Sequence, residues 1–437
     1  MRRLIEKCMG RIGKEMKILW LTNYPLPQIA IKVGLPVSVN EGWLIEVAEK
    51  LALLGHKLVF CTTIAKKNEV IIWREDNITF YGIPNKCDII YNKHLEDEFD
   101  EIIKKEQPDI IHIMGTEFPH SYSMWRACRK ANVDSRCVVS IQGLISKIAL
   151  AYDDGIEKKY EKRRIVWDFI TGDSIKCGKQ NFEKRGIYEK KLLSEIRNVV
   201  GRTKWDYMCV KQINPTIEYY KCNETLRKIF YEKQWRYENC EKHSIIISQA
   251  TYPVKGFHML LKAAAILKKK YCDLKIYIPS RTVYSSATKK CRLFNSDYTN
   301  YIIGLIKENE LESNLVFLGS LDAEEMCKAY LRSNVFICPS SIENSSNSLG
   351  EAMLLGMPIV ASYVGGMPSM MRHEVEGLFY PYSEEYIMAG DIDYLFQNVD
   401  EAIQYGINAR NRAYITHNAD KNIEDLIKCY ENINMSL

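Results

Sequence analysis

Short apolar runs alternate with helical-period segments along most of this chain. Lys17-Ile-Leu-Trp-Leu-Thr22 has the continuous apolar character of a strand buried on both faces. Trp43, Leu44, Val47, Leu51 and Leu54 then recur at helical spacing, and Gly55 suits the closing position of that helix. Lys57-Leu-Val-Phe-Cys61 starts the next strand, so the opening reads β-α-β, a unit that builds parallel sheets. Residues 109–113 and 137–141 predict further strands of the same sheet, whereas 156–195 is helical in pattern and dense in charge. The second half repeats the alternation more plainly. Strands are predicted at 244–248, 274–278, 315–318, 335–338 and 359–361, with helices at 257–269, 298–308, 323–332 and 349–355 between them. A terminal helix is predicted over 420–433.

This pattern specifies the α/β class: two Rossmann-like domains facing a cleft. Residues 16–240 are expected to form the N-terminal domain and 241–419 the C-terminal one. The change is placed in the polar stretch near Tyr237 to His243. Residues 420–437 form the terminal helix, expected to cross back to the first domain, and 1–15 read as a leader outside the fold. No G-x-G-x-x-G follows a strand and no G-x-x-x-x-G-K-[ST] loop occurs, so the usual phosphate loops of nicotinamide enzymes and P-loop NTPases are missing.

Composition changes this picture little. The 437 residues carry a net charge of +5, too mild to imply nucleic acid. The charge is uneven, however. The first 200 residues have 33 basic and 27 acidic side chains, the remainder 27 and 28, so the excess lies in the first half. The 14 cysteines include no C-x-x-C, and several lie in apolar runs, as buried small hydrophobes of a reducing compartment do. No apolar run approaches the roughly 18 residues of a membrane span. The reading is a cytoplasmic protein that can sit peripherally on a membrane.

The richest chemistry lies between Cys338 and Ser362. A strand ends near Pro339, a small polar loop follows, and a helix begins near Asn347 and ends at Gly356-Met-Pro. Asn344, Ser345 and Ser346 are cap-type residues, and the free amides of a helix start suit a phosphate. Glu343 precedes the helix and Glu351 lies inside it, on the face of Asn347. A phosphate repels carboxylates, but a vicinal diol donates hydrogen bonds to them. A nucleotide sugar has such hydroxyl pairs on either side of its diphosphate. The sugar is therefore assigned to Glu343, the diphosphate to the helix start and the ribose to Glu351.

This stretch resembles the donor motif of retaining glycosyltransferases of family four, which have the GT-B fold. Lys255-Gly256-Phe257, Val316 to Gly319, Asp322 to Met326, Val335 to Ser340, Val364 to Ser369 and Gly377-Leu-Phe fit that family in order and spacing. Met16 to Pro27, Gly42-Trp43 and Gln107 to His112 match more loosely, and Gly201-Arg202-Thr203 resembles a polysaccharide-assembly branch. The resemblance implies sugar transfer from a nucleotide-sugar donor to a saccharide or lipid-linked acceptor, with retention and without a metal or other cofactor. It implies catalytic roles for Glu343 and Lys255, ribose binding by Glu351, and diphosphate contacts from Asn347 and Ser348. Ser320 and Leu321 would lie near the base, and Gly42 would approach the phosphates. The departures are Ala250 where the family often has Arg, Gln142 and Met114 where it has His, and Glu41 where a second Gly is common. Arg202 and Arg281 are candidates to replace the missing charge. Gln142 and His120 are candidate acceptor or sugar contacts.

His112, within Ile-Ile-His-Ile, reads as a satisfied core histidine. The run Lys158, Lys159, Lys162, Arg163 and Arg164, beside Trp167 and Phe169, is a solvated helical face or a surface for anionic lipid. No carboxylate pair suited to double displacement is evident. The expected mechanism is therefore front-face, with the leaving diphosphate taking the acceptor proton. Two other readings stay open: a GT-B subunit that binds donor or a partner without turnover, and a nucleotide-sugar epimerase.

Overall fold

A computed structural model of the chain describes residues 15–37, 42–65, 68–157, 174–280 and 296–435. The expected leader, Glu41, the basic run from Lys158 to Arg164, and Arg281 lie outside them, except that Glu15 is described.

The chain forms two compact units. The first comprises residues 1–146, 183–225 and 417–437. Its eight strands are β1 (Lys17–Thr22), β2 (Lys57–Ile64), β3 (Ile71–Glu75), β4 (Ile78–Pro84), β5 (Ile110–Ile113), β6 (Cys137–Ser140), β7 (Asn198–Gly201) and β8 (Glu218–Lys221). They lie in the order β3-β4-β2-β1-β5-β6-β7-β8. All neighbours are parallel except β3 and β4, an antiparallel hairpin at one edge. The inner strands are apolar on both faces because helices cover both, giving one core around Val59, Phe99 and Trp125 and another around Trp20, Leu44 and Phe60. The terminal helix Ala419–Met435 belongs to this unit and buries Ile423, Leu426, Tyr430 and Ile433 in the second of these cores.

His112 anchors that helix. Its Nδ1 lies 2.6 Å from the Tyr430 hydroxyl and its Nε2 2.7 Å from Ser140 Oγ. Burial lowers its pKa from 6.5 to about 3. The folded value lies below the unfolded one, so protonation favours the unfolded chain. The contribution to stability is complete above about pH 6.5 and fades as pH falls toward 3. NMR of the ring should show no titration between pH 8 and 5. A midpoint above 5 would mean the imidazole is not sealed in.

The second unit comprises residues 147–182 and 226–416. Its strands are β9 (Glu241–Ile247), β10 (Lys275–Ile278), β11 (Leu315–Phe317), β12 (Ser333–Cys338), β13 (Ile359–Ser362) and β14 (Leu378–Tyr380). They are all parallel, in the order β11-β10-β9-β12-β13-β14. Both units have the doubly wound architecture of the GT-B fold.

The domain limits differ from those expected. Unit membership changes at 225/226 rather than near 240, because Leu226, Phe230 and Trp235 are buried in a core of the second unit. Residues 147–182 also leave the first unit. Tyr152, Ile156 and Ile175 pack in the core of the second sheet. The turn that carries Tyr152 is latched there: the Ser341 hydroxyl donates to the Ala151 carbonyl (2.7 Å), and Lys262 Nζ to that of Gly155 (3.1 Å).

Candidate functional site

In an open parallel sheet, ligands bind outside the carboxyl ends of the strands, where the strand order reverses. In the second unit β10 and β11 lie on one side of β9, and β12 to β14 lie on the other. The break therefore falls between β9 and β12, and the loops after these two strands carry Lys255 and Glu343.

Lys255 ends a 3₁₀ turn, Pro253–Lys255. Gly256 follows with φ +68° and opens helix Phe257–Leu267. A Cβ at Gly256 would lie 1.8 Å from the Pro339 carbonyl oxygen, so glycine alone lets the two loops touch. The Ser341 amide donates to the Val254 carbonyl (2.8 Å) and closes the contact. Gly256→Ala should cost about 3 kcal/mol, from the left-handed backbone and the overlap together. A denaturant midpoint unchanged from wild type would show that the loops part without cost.

The contact sets Lys255 Nζ 2.6 Å from Glu343 Oε1, and the Ser340 hydroxyl donates to the same oxygen at 2.8 Å. Burial would lower the Lys255 pKa, but Glu343 and Tyr252 more than offset it, and the ammonium stays charged. Four residues after Glu343, helix Asn347–Leu355 begins. Ser346 caps it, its Oγ accepting from the Leu349 amide at 3.3 Å and lying 2.9 Å from Ser348 Oγ. Asn347 Oδ1 is buried without a hydrogen-bond partner among the described residues. The cluster thus offers an ammonium from one loop and, from the loop it touches, a helix start and an amide oxygen without a partner among the described residues.

Glu351 is buried in the first turns of this helix, and Arg227 grips it through two parallel hydrogen bonds of 2.6 and 2.7 Å. Burial pushes the Glu351 carboxyl above its ordinary value, and Arg227 pulls it back. Arg227 was not legible as a site residue. It lies 124 positions from Glu351, in a connecting segment with no pattern of its own. Ala250, where an arginine was looked for, is fully buried in the core. Ser320 is exposed and Leu321 half-buried at the carboxyl end of β11, the edge strand on the same side of the sheet as the two loops.

The other candidates lie in the first unit. Gly42 opens helix Gly42–Leu53. Arg202 is buried, paired with Glu224, and its Nη2 donates to the Ile141 and Gln142 carbonyls, both at 3.1 Å, and to Gln142 Oε1 at 3.2 Å. Arg202 and Gln142 therefore tie two loops of this unit together. Neither is in the Lys255 cluster. His120 is buried beside Asn23 and Thr63.

Residues 232–412 match the family model for glycosyl transferases group 1. The second unit carries a glycosyl transferases group 1 domain. Among similar proteins, an uncharacterized glycosyltransferase of Methanocaldococcus jannaschii is 26% identical over 198 residues, 45% of this chain and 44% of the relative. The matched stretch is thus less than half of that relative's length. Among solved structures, sucrose-phosphate synthase from Thermosynechococcus elongatus superposes with a TM-score of 0.72 at 16% identity, covering 97% of this chain and 100% of the other. Anabaena HepE, solved in complex with UDP-glucose, gives a TM-score of 0.64 at 14% identity, covering 97% and 100%. At such identities these superpositions establish the GT-B fold. The group 1 domain contains Lys255, Asn347, Glu343 and Glu351 together.

Proposed function

We propose that this chain is a retaining glycosyltransferase that takes a sugar from a UDP-linked donor held at the β9/β12 break of the group 1 domain. The observation that carries the reading is the Lys255–Glu343 pair beside the start of helix Asn347–Leu355. The donor diphosphate would lie against the Lys255 ammonium and the amides of Asn347 and Ser348. The ammonium is already desolvated and aimed, so it stabilises the charge that grows as the phosphate leaves. Glu343 would accept from the sugar hydroxyls. Its carboxylate also favours the positive charge that develops at the anomeric carbon. Glu351, kept ionised by Arg227, would accept from the ribose hydroxyls. The departing phosphate oxygen takes the acceptor proton, and attack from the leaving-group face retains configuration. HepE is solved with UDP-glucose, which makes that compound the first donor to try. The acceptor class is a saccharide, free or lipid-linked.

Incubation with UDP-glucose and a panel of glycosides should release UDP and yield a product whose new linkage is α by its anomeric coupling. A β linkage would overturn retention. UDP-glucose bound without turnover, or converted to an isomeric nucleotide sugar, would overturn transferase activity.

A further inference from the structure

Arg227 holds Glu351 with only part of its guanidinium. The pair runs from Nε to Oε1 (2.6 Å) and from Nη2 to Oε2 (2.7 Å). A guanidinium has five N–H donors, so three remain: both on Nη1 and the second on Nη2. The Nη1–Nη2 edge is itself a fork of two parallel donors, and among the described residues nothing accepts from it. Nor is it sealed off, for the Arg227 side chain is 27% exposed while that of Glu351 is 6%.

Arg202 shows what a structural arginine looks like in this chain. Its side chain is 5% exposed, Nη1 pairs with Glu224, and Nη2 donates to the Ile141 and Gln142 carbonyls and to Gln142 Oε1. Both nitrogens of that edge are engaged. In Arg227 the same edge is open and yet held in place. The guanidinium lies 4.8 Å over the ring of Phe230, which is fully buried and meets Tyr330 edge-on, with centroids 5.7 Å apart. Leu226, the residue before Arg227, is buried too, and its amide donates to the Tyr231 hydroxyl at 3.1 Å.

Tyr330 belongs to helix Ala323–Arg332, which follows β11, and its hydroxyl senses the charges of both Glu351 and Arg227. Glu351 lies four residues beyond Asn347, about 6 Å along the helix from the amides assigned to the diphosphate. The pair therefore meets the ribose of a nucleotide whose phosphates rest on those amides. A ribose hydroxyl both donates and accepts, whereas the Glu351 carboxylate only accepts. Held by Glu351 alone, the two ribose oxygens would be taken from water without a donor of their own, which is unfavourable. The open fork of Arg227 supplies those donors. A phosphate suits it less, because Glu351 already offsets the guanidinium charge.

We infer, on the transferase reading above, that Arg227 binds the donor ribose directly, its open edge donating to the 2′ and 3′ oxygens while Glu351 accepts from their hydrogens. The carboxylate holds the fork in place and the fork keeps the carboxylate ionised, so the two act as one unit that selects a ribonucleotide.

The test is titration calorimetry on the full chain with UDP and with its 2′,3′-dideoxyribose analogue. Arg227→Lys keeps a positive charge beside Glu351 but has no second fork. Wild type should bind UDP at least about 30-fold more tightly than the analogue, and Arg227→Lys should narrow that ratio at least about fivefold. The ratio is taken within one protein, so a partly unfolded sample does not change it. Side-chain ¹⁵N NMR gives a second reading on the wild type, with the Arg227 signals assigned by their loss in Arg227→Lys. UDP should shift the Nη hydrogens and slow their exchange, and the analogue should do neither. A ratio unchanged in Arg227→Lys, equal binding of UDP and analogue by the wild type, or Nη signals that UDP leaves unmoved would overturn the inference and leave the diphosphate site standing. Failure of UDP to bind the wild type would overturn both.

Discussion

Glu343→Gln should lower turnover with UDP-glucose by about 10²- to 10³-fold, the usual loss when one electrostatic contact to the reacting centre is removed. Donor affinity should stay within about threefold. The two effects separate because Glu343 opposes itself. Its carboxylate favours the cationic sugar of the transition state, but before donor arrives it also occupies the Lys255 ammonium at 2.6 Å. Glutamine keeps the shape and the bond from Ser340 yet releases Lys255 to the diphosphate. The ground state therefore loses little while the transition state loses its countercharge. Steady-state kinetics should show kcat falling with KM level or lower. A rise in KM at normal kcat would make Glu343 a simple binding residue.

Glu351→Gln should weaken UDP-glucose binding by about 10- to 100-fold, the worth of a charge-assisted hydrogen bond. Calorimetry with UDP and with its 2′,3′-dideoxyribose analogue isolates the cause. Wild type should lose affinity for the analogue, and the variant should lose no more. A variant that discriminates as wild type does would remove Glu351 from the ribose. Arg227→Met supplies the complement. The buried Glu351 carboxyl, already raised by burial, loses the group that holds it ionised. Donor affinity should then become more sensitive to pH than in the wild type, weakening as pH falls and the carboxyl takes a proton. Breaking such a pair should also cost about 3–5 kcal/mol of stability.

How far the sequence could be read depended on the range of each interaction. β1 and helix Ala323–Arg332 match the expected limits because their determinants are local: a buried apolar run, and an Asp322 cap answered by Glu325. The loop from Pro339 to the helix at Asn347 was legible for the same reason. The β3–β4 hairpin was not anticipated, since an edge strand such as Ile-Ile-Trp-Arg-Glu lacks a continuous apolar signature. β7 (Asn-Val-Val-Gly), β8 (Glu-Tyr-Tyr-Lys, half-buried or exposed along its length) and β14 (Leu-Phe-Tyr) were not anticipated either. The transfer of 147–182 to the second unit depends on Tyr152, Ile156 and Ile175 meeting a core formed almost wholly by residues beyond 244. No window of sequence contains both sides of that contact. Arg227 was missed on the same ground, and the pairing of Arg202 with Glu224 was not legible because Glu224 lies beyond the helix Lys204–Ile213 that follows Arg202.

Titration calorimetry of UDP-glucose into wild type and Lys255→Ala tests the central claim most directly. One site should bind in the wild type, and the variant should bind at least about 30-fold more weakly, since the diphosphate would lose its one aimed ammonium in this cluster. Equal affinity in the two proteins, or no binding of UDP-glucose by the wild type, would contradict the account.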